Sequence, residues 1–117
     1  MRIALLSDIH GNRLALEAVL ADAGSLGVDA YLVLGDHVAV GPEPVAVIER
    51  LTGLENATFV RGNTDRYLVA GEVPYPGPDD LKAHPDLTEH MPRIVESYDW
   101  TRSRIAARGW SGWLAAL

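Results

Sequence analysis

Three apolar runs in this chain each end in polar residues that could bind a ligand, and this repetition restricts the fold more than any other feature. Ile3 to Leu6 lead into Ser7, Asp8, Ile9 and His10, and Ala30 to Leu34 lead into Gly35 and Asp36. Ala57 to Val60 lead through Arg61 into Gly62, Asn63, Thr64 and Asp65. Asp8, Asp36 and Asn63 lie 28 and 27 residues apart, a period that fits a repeated strand, loop and helix unit. Parallel sheets built from such units set the carboxyl ends of adjacent strands side by side, where ligands bind. The pattern predicts an α/β fold, a parallel sheet in β-α-β-α-β order, with oxygen and nitrogen donors gathered on one rim.

The residues between the runs agree. Arg2 to Ser7 reads as a buried strand, apolar on consecutive positions as interior parallel strands are. Asn12 suits a helix N-cap, and Leu16, Val19, Leu20 and Ala23 keep one helical face until Gly27 offers a stop. Val45 to Leu51 read as a second helix with Pro44, Val47, Ile48 and Leu51 toward the core, ended by Gly53. A short helical turn is expected from Asp65 to Ala70, which completes a β/α domain over residues 1–71 that carries the candidate site.

Beyond it the pattern changes. Pro74, Pro76 and Pro78 with Gly77 predict an extended, helix-free stretch in a linker over residues 72–86. Leu87, Met91, Ile94, Val95, Tyr98 and Ile105 fall near one helical stripe, so residues 87–117 read as a helical segment packing on the domain. Pro92 is tolerable there only in the first turn. The long helix ends near Gly109, and the tail Trp110 to Leu117 is apolar enough to need a partner surface.

Composition closes off several functions. A length of 117 residues fits one domain. The absence of cysteine excludes disulfides, thiolate metal sites and cysteine nucleophiles. Hydrophobic residues at 48% and charged residues at 22% describe an ordinary globular chain, and no apolar run reaches the length of a membrane span. Met1 to Ala4 enter a strand directly, which reads as no signal peptide and sets a cytoplasmic location as the expectation. A formal charge of −6 argues against sequence-independent nucleic-acid binding. It leaves room for a phosphate substrate, because a bound metal reverses the local field.

Asp8 and His10, two apart at a strand end, can offer an oxygen and an imidazole nitrogen to one cation. Taken singly, each candidate also fits a blander role: Asp8 and Asp36 as helix caps, His10 as a surface residue, Asn63 as a turn residue of positive φ. Taken together, three consecutive strands each end in a metal-capable side chain near glycine. A phosphoacceptor of the haloacid-dehalogenase or receiver type fits poorly, since the first strand ends in Asp-Ile-His and lacks paired aspartates.

Asp8-Ile9-His10-Gly11-Asn12, then Gly35-Asp36 with Gly41-Pro42, then Arg61-Gly62-Asn63-Thr64-Asp65 resemble the first three motifs of the calcineurin-like metallophosphoesterase family, in its small bacterial branch. The match spans roughly residues 1 to 67 in order and spacing. The resemblance implies half of a metallophosphoesterase sandwich, and a phosphatase or phosphodiesterase that uses a dinuclear metal centre and a bridging hydroxide. It implies two divalent ions, Mn, Fe, Zn or similar, with Asp8 and His10 on one, Asp36 bridging both, and Asn63 on the second. Asp36 and Asn63 are then the catalytic residues, and the substrate is a small phosphoester or a nucleotide. Gly11, Asn12, Arg61 and Arg66 are candidates for contact with the phosphate: glycine lets it approach the backbone, a helix start offers N–H groups, and arginines pair with its charge.

Two departures stand out. Many members carry histidine after the asparagine, where it assists the leaving group; this chain has Thr64, which is neither a strong acid nor a strong base, so Thr64→Ala is expected to cost little. The family's later Gly-His-x-His motif is absent, and the remaining histidines are His37, His84 and His90. His37 reads as a surface residue or one standing behind the ligands, and His84 and His90 as solvated. The expectation is therefore the N-terminal half of a longer chain, or one half of an oligomer, with weak metal affinity and little hydrolysis alone. The alternative is a truncated, non-catalytic module of the same fold that binds metal or a partner.

Overall fold

A computed structural model describes residues 1–73 and 75–117 of the chain. Strands β1 (Ile3–Leu6), β2 (Ala30–Val33) and β3 (Ala57–Phe59) form a parallel sheet in the order β1-β2-β3. Helix α1 (Arg13–Ser25) joins the first pair and α2 (Pro44–Thr52) the second. The register sets Leu6 beside Val33 and Val33 beside Phe59, so Leu6, Val33 and Phe59 share one face. Two crossovers of the usual right hand, running in the same direction across the sheet, put both helices on that face. There Leu6 and Val33 pack against Leu16, Leu20, Val47 and Leu51 as one buried core.

The local signals explain the helix ends. Asn12 Oδ1 accepts from the Ala15 N–H at 3.0 Å and caps α1, and Gly27 just beyond it takes a left-handed φ of 65°. Pro44 opens α2, where a missing N–H costs nothing.

Burial of β1 differs from the sequence expectation. An apolar run reads as buried on both faces, yet β1 is an edge strand and its second face is bare: Ile3 is 48% and Leu5 64% exposed. Leu34 and Val60 continue that face and are exposed too, and Val19, expected on the core face of α1, is also exposed.

Five further pieces follow: α3 (Asn63–Ala70), α4 (Pro78–Ala83), a 3₁₀ turn (Pro85–His90), α5 (Met91–Ala107) and α6 (Ser111–Ala116). The proline pattern predicted no helix up to Asp80. Pro78, however, takes the first position of α4, where proline is tolerated, and the Gly77 N–H is capped by Asp80 Oδ2 at 2.8 Å. Pro74 lies outside the described residues. Pro92 sits in the first turn of α5, the one place a helix accepts it without losing a bond.

Helix α5 runs against α2 and α3, and α6 returns along α3. They complete a second core in which Val38, Ile48, Leu68, Tyr98, Ile105 and Leu114 are buried, with Trp110 and Trp113 packed against it. The tail thus finds its covering surface within the domain. Among the described residues, no helix is long and apolar enough to cross a membrane.

Candidate metal centre

The three strands end at one rim, where Asp8 follows β1, Asp36 follows β2 and Asn63 opens α3 behind β3. Asp8, His10 and Asp36 each present one donor atom within 4.8 Å of the others. His10 Nε2 stands 3.6 Å from Asp8 Oδ1 and 3.8 Å from Asp36 Oδ2, beyond hydrogen-bond reach of either. A nitrogen facing two carboxylates at those distances leaves space that a cation fills.

Asn63 belongs to the same cluster. Its amide lies against the Asp36 carboxylate, and in the orientation that satisfies both groups its Nδ2 donates to Oδ1 at 3.2 Å and Oδ2 at 3.1 Å. The donors at the rim, carboxylate and amide oxygens with one imidazole, suit divalent ions such as Mn, Fe and Zn. The residues present therefore fit a metal.

The backbone is bent to make this cluster. Asp8, His10 and Asp36 all have left-handed φ, at 56°, 49° and 54°. Aspartate and histidine bear that region better than most residues, yet three on one rim is local strain held by the surrounding fold. The loops after β1 and β2 are stitched together by backbone bonds: His10 N–H to Asp36 O at 2.9 Å, Gly11 N–H to His37 O at 3.0 Å, and Gly41 N–H to His10 O at 2.8 Å. Gly35 and Gly62 let the second and third loops touch. A Cβ on Gly62 would lie 2.2 Å from the Asp36 nitrogen, closer than any side chain tolerates.

Asp65 ties the second loop to the third. Fully buried, it accepts from the Gly62 N–H at 2.9 Å, the Asp36 N–H at 2.9 Å, the His37 N–H at 3.0 Å, and His37 Nδ1 at 2.8 Å. Burial by itself would raise its pKa. The hydrogen bond and charge of His37, with the N–H groups of Gly62 and His37, outweigh that and hold the carboxyl below its usual value.

His37 is accordingly no surface residue. It is fully buried behind Asp36, with its ring edge-on to Trp113 at 5.6 Å and tilted to Phe59 at 5.9 Å. Thr64, also buried, donates its N–H to Asp36 Oδ1 at 3.0 Å and brings its hydroxyl to 3.0 Å from the same oxygen. Tyr98 reaches this region from α5: burial first, then the Asp36 and Tyr67 charges, push its phenol above the ordinary pKa.

The residues expected to contact phosphate also have partners within the fold. The Gly11 N–H is bonded to His37 O and the Asn12 N–H to Ile9 O at 3.0 Å, so neither is free for an anion. Gly11 instead allows the close pass of Gly41, for a Cβ there would meet Gly41 O at 3.0 Å. Arg61 donates to Ala115 O of α6. Arg66 pairs with Glu72 at 3.5 Å and lies 4.6 Å over the Tyr67 ring. Arg61 is thus held by a backbone carbonyl, and Arg66 by a carboxylate and a ring face. His84 and His90 are exposed.

The contacts of Thr64 and Asp65 are what reading for ligands alone leaves out, while His37 takes the second of its two expected places, behind the ligands. The available signal was Asp65 itself, an acid three residues after Gly62 at the start of a helix, the position from which a side chain caps the N-cap N–H.

A three-stranded parallel sheet whose strand ends gather two aspartates, a histidine and an asparagine is the framework of a metallophosphoesterase. The chain belongs to the calcineurin-like phosphoesterase family, whose model matches residues 1–115. Over 70 residues it is 43% identical to an uncharacterized protein of Methanocaldococcus jannaschii, a match that covers 60% of this chain and 28% of that protein. Its fold is similar to the crystal structure of a metallophosphoesterase from Sphaerobacter thermophilus, with a TM-score of 0.70 and 32% identity, over 100% of this chain and 41% of that one. The chain therefore spans less than half the length of either.

Proposed function

We propose that residues 1–117 carry the first half of a metal-dependent phosphoester hydrolase site, in which Asp8, His10, Asp36 and Asn63 hold two divalent ions. The observation that carries this reading is the convergence of the Asp8, His10 and Asp36 donor atoms within 4.8 Å at the strand ends. Bound there, the ions would supply a water of lowered pKa and neutralise charge on the phosphate. Asp36 has one oxygen, Oδ2, near both His10 and the Asn63 amide, and that oxygen would serve both ions. Neutral Asn63 ligates without adding a negative charge that would repel the substrate, a small phosphoester or nucleotide.

Four protein donors are too few for two ions, each of which takes four to six ligands. We assign the remaining donors to atoms outside residues 1–117, either the rest of a longer chain or another copy. The bare face of the sheet at Ile3, Leu5, Leu34 and Val60 supports this, as does a span of 41% of the Sphaerobacter protein. The same two observations favour the second reading, that these residues alone are a non-catalytic module of the fold. The whole protein is expected to hydrolyse an aryl phosphodiester with Mn²⁺ and to lose that activity to a chelator, while residues 1–117 alone turn over little or none. A rate that survives chelation would remove the metal from the mechanism, and full activity of residues 1–117 would remove the missing half.

A further inference from the structure

We propose that Thr64 is a positioning residue that fixes the Asp36 carboxylate, so that Asp36 turns Oδ2 toward the cation site. The inference rests on the reading of Asp36 as a metal ligand. Two donors of one residue meet Asp36 Oδ1, the Thr64 N–H at 3.0 Å and the Thr64 hydroxyl at 3.0 Å. One carboxylate oxygen has about two lone-pair directions, so these contacts fill Oδ1. Asp36 Oδ2 is the oxygen on the side of His10, 3.8 Å from its Nε2.

The hydroxyl is itself held in place. Val38 O lies 3.2 Å from Thr64 Oγ1, and Thr64 is buried at 6% exposure, so water does not compete for either contact. A hydroxyl has one proton, and the charged carboxylate is the stronger of its two acceptors. The Thr64 backbone N–H survives any substitution except proline, but without the hydroxyl the carboxylate has more freedom to swing. The second bond, from the side chain, removes that freedom. On this reading Thr64→Ala costs more than its weak acidity and basicity alone would lead one to expect. Thr64 need not exchange a proton with substrate in order to matter, because it acts through the orientation of Asp36.

The test is Mn²⁺ affinity by calorimetry on the whole protein, with thermal melting of each metal-free variant in parallel. Thr64→Val keeps the shape and removes the hydroxyl; Thr64→Ser keeps the hydroxyl and removes a methyl. Thr64→Val is expected to weaken binding about 10- to 100-fold and Thr64→Ser less than about 3-fold, the scale of lost hydrogen bonds to metal ligands. Should Thr64→Val not fold, Thr64→Ala against Thr64→Ser isolates the same hydroxyl. In an Asp36→Ala background, Thr64→Val is expected to have no further effect on affinity. Retained affinity in Thr64→Val, or equal losses in the Ser and Val variants, would overturn the positioning role while Asp36→Ala still weakens binding. If Asp36→Ala binds Mn²⁺ like the wild type, the ligand reading itself fails, and the role of Thr64 with it.

Discussion

Asp65→Ala is expected to destabilise the fold by about 3–5 kcal/mol. The side chain is the sole tie to four donors: the N–H groups of Asp36, His37 and Gly62, and His37 Nδ1. Removing it takes the acceptor from two buried and two part-buried donors, a buried one costing about 1–3 kcal/mol before relaxation. Domains of this size have about 5–15 kcal/mol of stability in all, and about 4–8 °C of melting temperature goes with each kcal/mol. A fall in melting temperature of about 15 °C or more follows. Asp65→Asn recovers only part, because an amide offers one accepting oxygen and turns its NH₂ toward other donors. A melting temperature for Asp65→Ala within a few degrees of the wild type would show that Asp65 does not hold the two loops together.

Asp36→Asn is expected to abolish metal-dependent hydrolysis by the whole protein while leaving it folded. The variant keeps an oxygen for the Thr64 N–H and hydroxyl, so the loop persists. It loses the negative charge that faces His10 and Asn63. Outer partners of metal ligands cost about 10–100-fold when removed, and loss of a ligand charge is expected to exceed that. Turnover of an aryl phosphodiester with Mn²⁺ measures it. Equal rates for wild type and Asp36→Asn would contradict the role given to Asp36.

Much of this architecture could be read from the sequence because its causes are local. Asn12 announces the start of α1 through its own side chain, and the repeated run ending in Asp8, Asp36 and Asn63 gives the strand order and the rim. What could not be read depends on residues distant in the chain. Ile3 and Leu5 look like interior strand residues, but their burial is decided by what lies across the sheet, and within residues 1–117 both are exposed. Helix α4 arises inside a proline-rich stretch because Pro78 falls at its first position; beyond the first turn the same proline would remove a helix hydrogen bond. Thr64 was weighed only as an acid or base, whereas its contacts reach back to Asp36 and Val38. His37 looked exposable until Trp113 and Phe59 closed around it. That the N–H groups of Gly11 and Asn12 go to His37 O and Ile9 O is a partnership no local signal announces.

The central claim is that Asp8, His10, Asp36 and Asn63 surround divalent cations. Anomalous diffraction at the manganese edge, from crystals of the whole protein grown with MnCl₂, tests it most directly. The account predicts anomalous peaks at coordination distance, about 2.0–2.3 Å, from donor atoms of these four residues, with one peak on the Asp8 and His10 side and one on the Asn63 side of Asp36. A fully occupied crystal with no peak among them, or with manganese bound only elsewhere on the molecule, would contradict it.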